Sequence, residues 1–205
     1  MASARHIIVA GAGIAGLTAA LTLARAGFRV TVLEQSAKLE ETGAGIQLSP
    51  NATRILIDLG LSDYLAPSVV VPQAIRIFSG SSGREITRIP LGDAAMRRYG
   101  APFWAIHRGD LQAALAAAAR DTLDIEVRLG DRLDDFAAHT HGITVQAYRG
   151  RKVVDERGAV LIGADGIWSH IGEKLRRQRK PTFAHRVAWR TLLPAEKLPM
   201  HFRSD

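Results

Sequence analysis

Three glycines, Gly11, Gly13 and Gly16, followed by an acid, Glu34, are the residues whose types and spacing can do chemistry in this sequence. In a Gly-x-Gly-x-x-Gly turn the first glycine allows a tight strand-to-helix reversal. The second lets backbone approach a pyrophosphate, and the third lets helix and strand pack closely. A helix beginning there turns free N–H groups and its positive dipole end toward phosphates. An acid about 20 residues further on accepts hydrogen bonds from ribose hydroxyls. That chemistry is the binding of an adenine dinucleotide.

The elements that must position these residues are legible around them. Residues 7–10 are an apolar run, residues 14–26 an Ala/Leu-rich helical stretch ending at Gly27, and residues 30–33 a second apolar run. Together they predict one β-α-β unit with Glu34 closing its second strand. After a polar segment comes Gly43-Ala44-Gly45-Ile46-Gln47-Leu48, for which two readings stand: a flexible loop, or backbone lying against a flat ligand. Ser49 and Pro50 then mark a helix start and Gly60 its stop.

Short strands and turns occupy residues 61–102. Residues 74–78 and 85–90 flank the turn Gly80-Ser81-Ser82-Gly83, as an insertion into an α/β chain would. Residues 103–108 predict a strand running into a helix over 111–120, with Asp110 as its cap. Residues 125–129 predict another strand, and a meander comes next, with turns at residues 139–142 and 149–151. Residues 159–162 are continuously apolar, as a strand buried on both faces should be, and deliver Gly163-Ala164-Asp165-Gly166. Asp165 reads equally as a plain turn residue or as an acid meeting a ligand at a strand's carboxyl end. Ser169 predicts a helix cap, and residues 183–193 predict a strand of another sheet.

Composition bounds the rest. The chain has 205 residues, 47% of them hydrophobic, and no cysteine, which excludes disulfides, thiolate metal sites and cysteine nucleophiles. The formal net charge is +7, but the one dense basic run, Lys174 to Lys180, has no interleaved aromatics and reads as a solvated helix end rather than a nucleic-acid surface. His139-x-His141 lacks further metal ligands and reads as a polar turn. Residues 7–24 are uncharged and superficially resemble a secretory signal. The three glycines argue against that, since each costs up to about 1 kcal/mol in a helix interior relative to alanine. The expectation is a cytoplasmic protein with no signal, no membrane span and no nucleic-acid partner, and nothing in the sequence signals an oligomeric state.

With these motifs in hand, the chain resembles the amino-terminal half of the group A flavoprotein monooxygenases, the FAD-dependent aromatic hydroxylases, most of all the salicylate hydroxylase and 3-hydroxybenzoate 6-hydroxylase branch. The resemblance covers nearly the whole sequence. Gly11, Gly13, Ala15 and Gly16 with Glu34 match its ADP-binding fingerprint, and the stretch containing Gly45 resembles the loop beside the flavin. His107-Arg108-x-Asp110-Leu111 matches the segment whose arginine lies near the FAD pyrophosphate and ribityl chain. Gly163-Ala164-Asp165-Gly166-x-x-Ser169 resembles the Asp-Gly motif at the FAD diphosphate, also implicated in handling NAD(P)H. Ala188-Trp189-Arg190 resembles the first strand of the substrate domain.

The resemblance implies an α/β, Rossmann-like FAD-binding domain of the glutathione-reductase type, a parallel sheet plus an antiparallel meander, over residues 1–180. Residues 181–205 would begin a second, mostly antiparallel substrate domain. It further implies FAD as cofactor, NAD(P)H as transient co-substrate, and hydroxylation of a phenolic carboxylate by O₂ through a flavin C4a-hydroperoxide. Two departures stand out. Gly172 occupies the place of an arginine in the Asp-Gly motif, and the third flavin motif would lie beyond residue 205. The expectation is therefore a fragment or truncated product, with a non-catalytic nucleotide-binding remnant as one alternative. Another user of the fold is the second: a phenazine or polyketide hydroxylase, a halogenase or a prenyl reductase. No matched motif supplies a catalytic acid or base, and no metal is expected.

Overall fold

The structure, a computed structural model, describes residues 5–39, 43–175, 181–188, 192–198 and 200. In chain order its elements begin with β1 (His6–Ala10), α1 (Ile14–Arg25), β2 (Arg29–Glu34), β3 (Gly45–Leu48), α2 (Pro50–Asp58) and α3 (Ser62–Leu65). Next come β4 (Ala74–Phe78), β5 (Glu85–Pro90), α4 (Asp93–Tyr99), β6 (Trp104–His107) and α5 (Arg108–Arg120). β7 (Ile125–Leu129) leads into the meander of β8 (Asp131–His139), β9 (Gly142–Arg149) and β10 (Lys152–Gly158), and β11 (Val160–Gly163) and α6 (His170–Lys174) come after it. The chain divides into two compact units, Met1–Glu40 with Gln112–Arg186, and Glu41–Leu111 with Val187–Asp205.

The first unit holds a parallel sheet in the order β11-β1-β2-β7. Parallel strands need crossovers, and α1 is the one joining β1 to β2. Both central strands are buried almost throughout, so their apolar runs need no polar alternation. Ile8 and Leu33 pack against Val145 and Ala147 of the antiparallel sheet β10-β9-β8, with Phe136 and Leu161 around them. By the two-residue pleat, Ile7, Val9, Val30 and Val32 turn to the other face, where α1 buries Leu17, Ala20 and Leu21.

β11 departs from expectation. It is an edge strand among the described residues, with Val160 48% exposed, rather than a strand covered on both faces. Its apolar run reflects pairing with buried β1 on one side only.

The second unit pairs β3 with β6 and β4 with β5, each antiparallel. β4 and β5 span the residues expected from sequence. α5 begins at Arg108, immediately after β6, so Asp110 sits in its first turn instead of capping it. Pro50 opens α2 behind Ser49, and the chain leaves that helix at Gly60 with φ +80°. The strand expected over 183–193 is absent from residues 181–188, while Trp189 and Arg190 lie outside the described residues. Among the described residues no helix is long and apolar enough to cross a membrane.

Candidate functional site

The glycine turn is built by contacts that leave no room for side chains at two of its three positions. Gly11 has φ +103°, and a β-carbon on it would lie 2.4 Å from the Ala164 carbonyl oxygen. One on Gly16 would lie 1.9 Å from the Gly11 carbonyl oxygen, so α1 can begin this close to the turn only with glycine there. The turn is pinned to β2 by the Gly11 N–H donating to the Leu33 carbonyl at 2.7 Å.

Gly13 is different. It is the N-cap of α1 at φ −73° and ψ 178°, angles open to any residue, and a β-carbon there would meet nothing within 4 Å. Neither backbone strain nor packing calls for glycine at this position. A bare N-cap offers no side-chain acceptor to the leading N–H groups of α1, which have no intrahelical partners and are suited to an anion. Ala15 lies exposed in the first turn of the same helix.

Glu34 ends β2 against this turn. One carboxylate oxygen accepts from the Ala12 N–H and the other from the Ser36 N–H, both at 2.8 Å. The carboxylate therefore locks the turn, and each oxygen keeps a lone pair for a further donor. Gln112 completes the lock by donating to the Ala12 carbonyl at 2.8 Å.

Asp165 arrives beside the turn because β11 pairs with β1, with the Ala164 N–H donating to the Ala10 carbonyl at 2.8 Å. Its carboxylate accepts from the Ser169 hydroxyl at 2.5 Å and from the Ile171 N–H at 3.1 Å. Ser169 in turn accepts from the Gly172 N–H at 2.8 Å. Both residues thus cap α6, whose first turn would otherwise leave its donors unpaired.

Gly11, Gly13, Glu34 and Asp165 line one cavity of about 260 Å³, and Gly16 lies behind it. Its other wall, comprising Asp131, Arg132 and Leu133 of β8 with Trp168 and His170, was not foreseen from sequence. Asp131 is buried and held by Arg149 through contacts of 2.7 and 3.1 Å, and this hydrogen bonding raises the Arg149 guanidinium above its ordinary pKa. Arg132 lies over the ring of its cross-strand partner Tyr148, 4.9 Å from the centroid. His170 donates to the Asp134 carbonyl at 2.8 Å, tying α6 to an irregular stretch of β8. The one signal that could have exposed these residues is register, which a meander of mixed polar residues does not display in its pattern.

The remaining site residues lie in the second unit. Arg108 donates its N–H to the Ala44 carbonyl at 3.2 Å, and its side chain covers Gly43, where a β-carbon would stand 3.0 Å from Arg108 Cβ. His107 donates to the Gly43 carbonyl at 3.0 Å. Gly45 pairs with His107 in the β3–β6 ladder and is exposed. The structure thus joins the glycine-bearing stretch to the His107-Arg108 segment and makes Gly45 a strand residue instead of part of a loop.

A β-α-β turn with an unencumbered helix N-terminus, an acid ending the second strand and a cavity beside both defines a dinucleotide-binding domain. The sequence matches the family described as "FAD binding domain" over residues 5–201, and the chain belongs to that family. It is 36% identical over 198 residues to 3-hydroxybenzoate 6-hydroxylase 1 of Aquipseudomonas alcaligenes, covering 97% of this chain and 50% of that protein. It is 39% identical over 205 residues to 3-amino-4-hydroxybenzoate 2-monooxygenase of Streptomyces cremeus, covering 98% and 49%. The chain spans about half the length of the curated relatives it matches. The fold is shared with the flavin-dependent monooxygenase PieE, solved in complex with FAD and substrate, at a TM-score of 0.72 and 24% identity, over 85% of this chain and 32% of that one. The domain is thus α/β and Rossmann-like, its family's cofactor is FAD, and the two relatives named are a hydroxybenzoate hydroxylase and an aminohydroxybenzoate monooxygenase.

Proposed function

We propose that this chain is the FAD-holding part of a monooxygenase that hydroxylates a phenolic or related aromatic carboxylate with NAD(P)H and O₂. The observation that carries the reading is Gly13: a glycine that the fold itself does not require, at a helix N-terminus facing a cavity, is explained by a diphosphate coming close to the backbone. In this reading Gly11 and Gly16 shape the turn, and the N–H groups about Gly13 and Ala15 bind the diphosphate. Glu34 accepts from the ribose hydroxyls while keeping its hold on Ala12. Asp165 orients the Gly163–Gly166 turn toward the diphosphate from the other side of the cavity.

In the second unit, Arg108 is assigned to the pyrophosphate and ribityl chain of the cofactor, and Gly45 to the flavin, by the likeness of their motifs. Residues 1–180 then form the FAD-binding domain, with the strands of 61–102 inserted, and residues 181–205 begin a substrate domain. When bound, FAD supplies electron transfer from NAD(P)H and activation of O₂, while the protein supplies position and electrostatics. A cytoplasmic setting, where reduced nicotinamide nucleotides are abundant, accords with a sequence without cysteine.

The test is purification of the protein that carries this chain, followed by flavin absorbance and NAD(P)H oxidation with and without a panel of hydroxybenzoates. Bound FAD and faster oxidation on adding one of them are expected. Absence of flavin together with absence of stimulated oxidation across the panel overturns the proposal.

A further inference from the structure

The second unit holds a cavity of its own, of about 630 Å³, to which the flavin reading assigns nothing. Its lining comes from the start of α2, the end of β5, α4 and the segment before β6, so the cavity is complete within residues 49–103. Two hydrogen bonds fasten α2 to the chain that leaves α4. The Thr53 hydroxyl donates to the Pro102 carbonyl at 2.6 Å, and the Arg54 guanidinium donates to the Tyr99 carbonyl. On α4, Ala94, Ala95 and Arg98 lie three and four residues apart and share one helix face, where the two alanines leave room beside them. With Ile89, Pro90 and Phe103 they make a mostly apolar lining with few polar groups, as small-molecule sites have.

Arg54 and Arg98 carry the charge of this lining, and among the described residues no acid lines it. Both arginines are anchored at Tyr99, Arg54 through the carbonyl and Arg98 with its guanidinium 5.4 Å from the ring centroid. Those partners are neutral. Two positive charges gathered at one residue repel each other, and an anion between them is attracted to both. A guanidinium fork matches the two oxygens of a carboxylate, and the ring surfaces of Pro90 and Phe103 suit a flat apolar group. We propose that this cavity binds a small aromatic carboxylate, with the carboxylate between Arg54 and Arg98 and the ring against Ala94, Ala95 and Phe103. The inference is drawn from the second unit alone and goes beyond the flavin reading without resting on it.

The experiment titrates the purified protein that carries this chain, wild type and variants, with benzoate, benzamide and acetate by calorimetry, and records flavin absorbance on the same samples. Wild type should bind benzoate about tenfold more tightly than benzamide, which keeps the ring and loses the charge, and than acetate, which keeps the charge and loses the ring. Arg98→Met should weaken benzoate about tenfold, the scale of a lost charge-assisted hydrogen bond, and leave benzamide unchanged. Arg98→Lys should fall between the two, because an ammonium keeps the charge and loses the fork. Arg98 is exposed, so its variants are expected to fold, as circular dichroism would verify. Absence of benzoate binding, equal affinity for benzoate and either of the other probes, or the same benzoate isotherm in wild type and Arg98→Met overturns the inference, whether or not flavin is bound. A protein that binds benzoate in this pattern and carries no flavin overturns the flavin reading alone.

Discussion

A β-carbon on Gly11 would lie 2.4 Å from the carbonyl oxygen of Ala164, so the first glycine of the turn and the residue before Asp165 are in backbone contact across β1 and β11. Residues more than 150 positions apart in the chain share this junction. The obstructing atom is backbone and cannot swing aside. The Gly11 φ of +103° adds strain for any L side chain. Gly11→Ala is therefore expected to cost about 3 kcal/mol or more. A urea titration followed by circular dichroism measures it, and a loss below about 1 kcal/mol would show that the junction yields.

Gly13→Ala separates fold from ligand. Because nothing stands within 4 Å of the added carbon, the change is an N-cap glycine-to-alanine exchange, expected to cost within about 1 kcal/mol. FAD affinity, in contrast, should fall by about tenfold or more, since the methyl group occupies space the diphosphate needs. An unchanged dissociation constant would remove the main support for the functional proposal.

Glu34→Gln tests the carboxylate lock. Both oxygens accept backbone N–H groups, from Ala12 and Ser36, and an amide must turn its NH₂ toward one of those donors. The expected loss is about 1–2 kcal/mol of stability, together with weaker FAD binding through the displaced turn. A stable variant with unaltered FAD affinity would show that neither hydrogen bond matters.

Acid should weaken a second ionic cluster, formed on β7 by Glu126 and Arg128. Hydrogen bonding from Arg128 holds the Glu126 carboxyl below its ordinary 4.5, against a smaller opposing effect of burial. A carboxyl depressed in the folded state adds stability that is complete above the unfolded value and disappears as the pH falls through the folded one. Wild type and Glu126→Gln should therefore differ in urea midpoint at pH 7, and the gap should shrink below the ordinary 4.5 and close once the pH has fallen through the lower folded value. Glu126 is largely solvent-exposed, so the gap should be small and shrink further in high salt. A gap that persists at low pH would mean that the pair is not its source.

Short-range pattern is the part of this fold that is legible in the sequence. The β-α-β unit, the β4–β5 hairpin and the Ser169 cap all arise from spacing within a few residues, and each is present. Asp110 reads as a cap because helix propensity is strongest from residue 111 onward, whereas the backbone of β6 turns directly into α5 at Arg108. β11 reads as doubly buried because an apolar run does not say which strands flank it. Gly45 resembles a loop glycine until its ladder with His107 is formed. The buried Asp131–Arg149 pair, Gln112 and Arg132 carry no sequence signal at all. They acquire roles only through contacts set by sheet register or by packing between distant segments, and no local motif encodes either.

Trp168 stands 78% exposed on the cavity rim, whereas Trp104 is 8% exposed within the other unit. Of the three tryptophans in the sequence, these two therefore stand in opposite surroundings, one wet and one dry. A yellow chromophore entering beside Trp168 would drain its red-shifted emission by energy transfer, so the fraction of molecules loaded can be followed from the protein's own light without any attached dye.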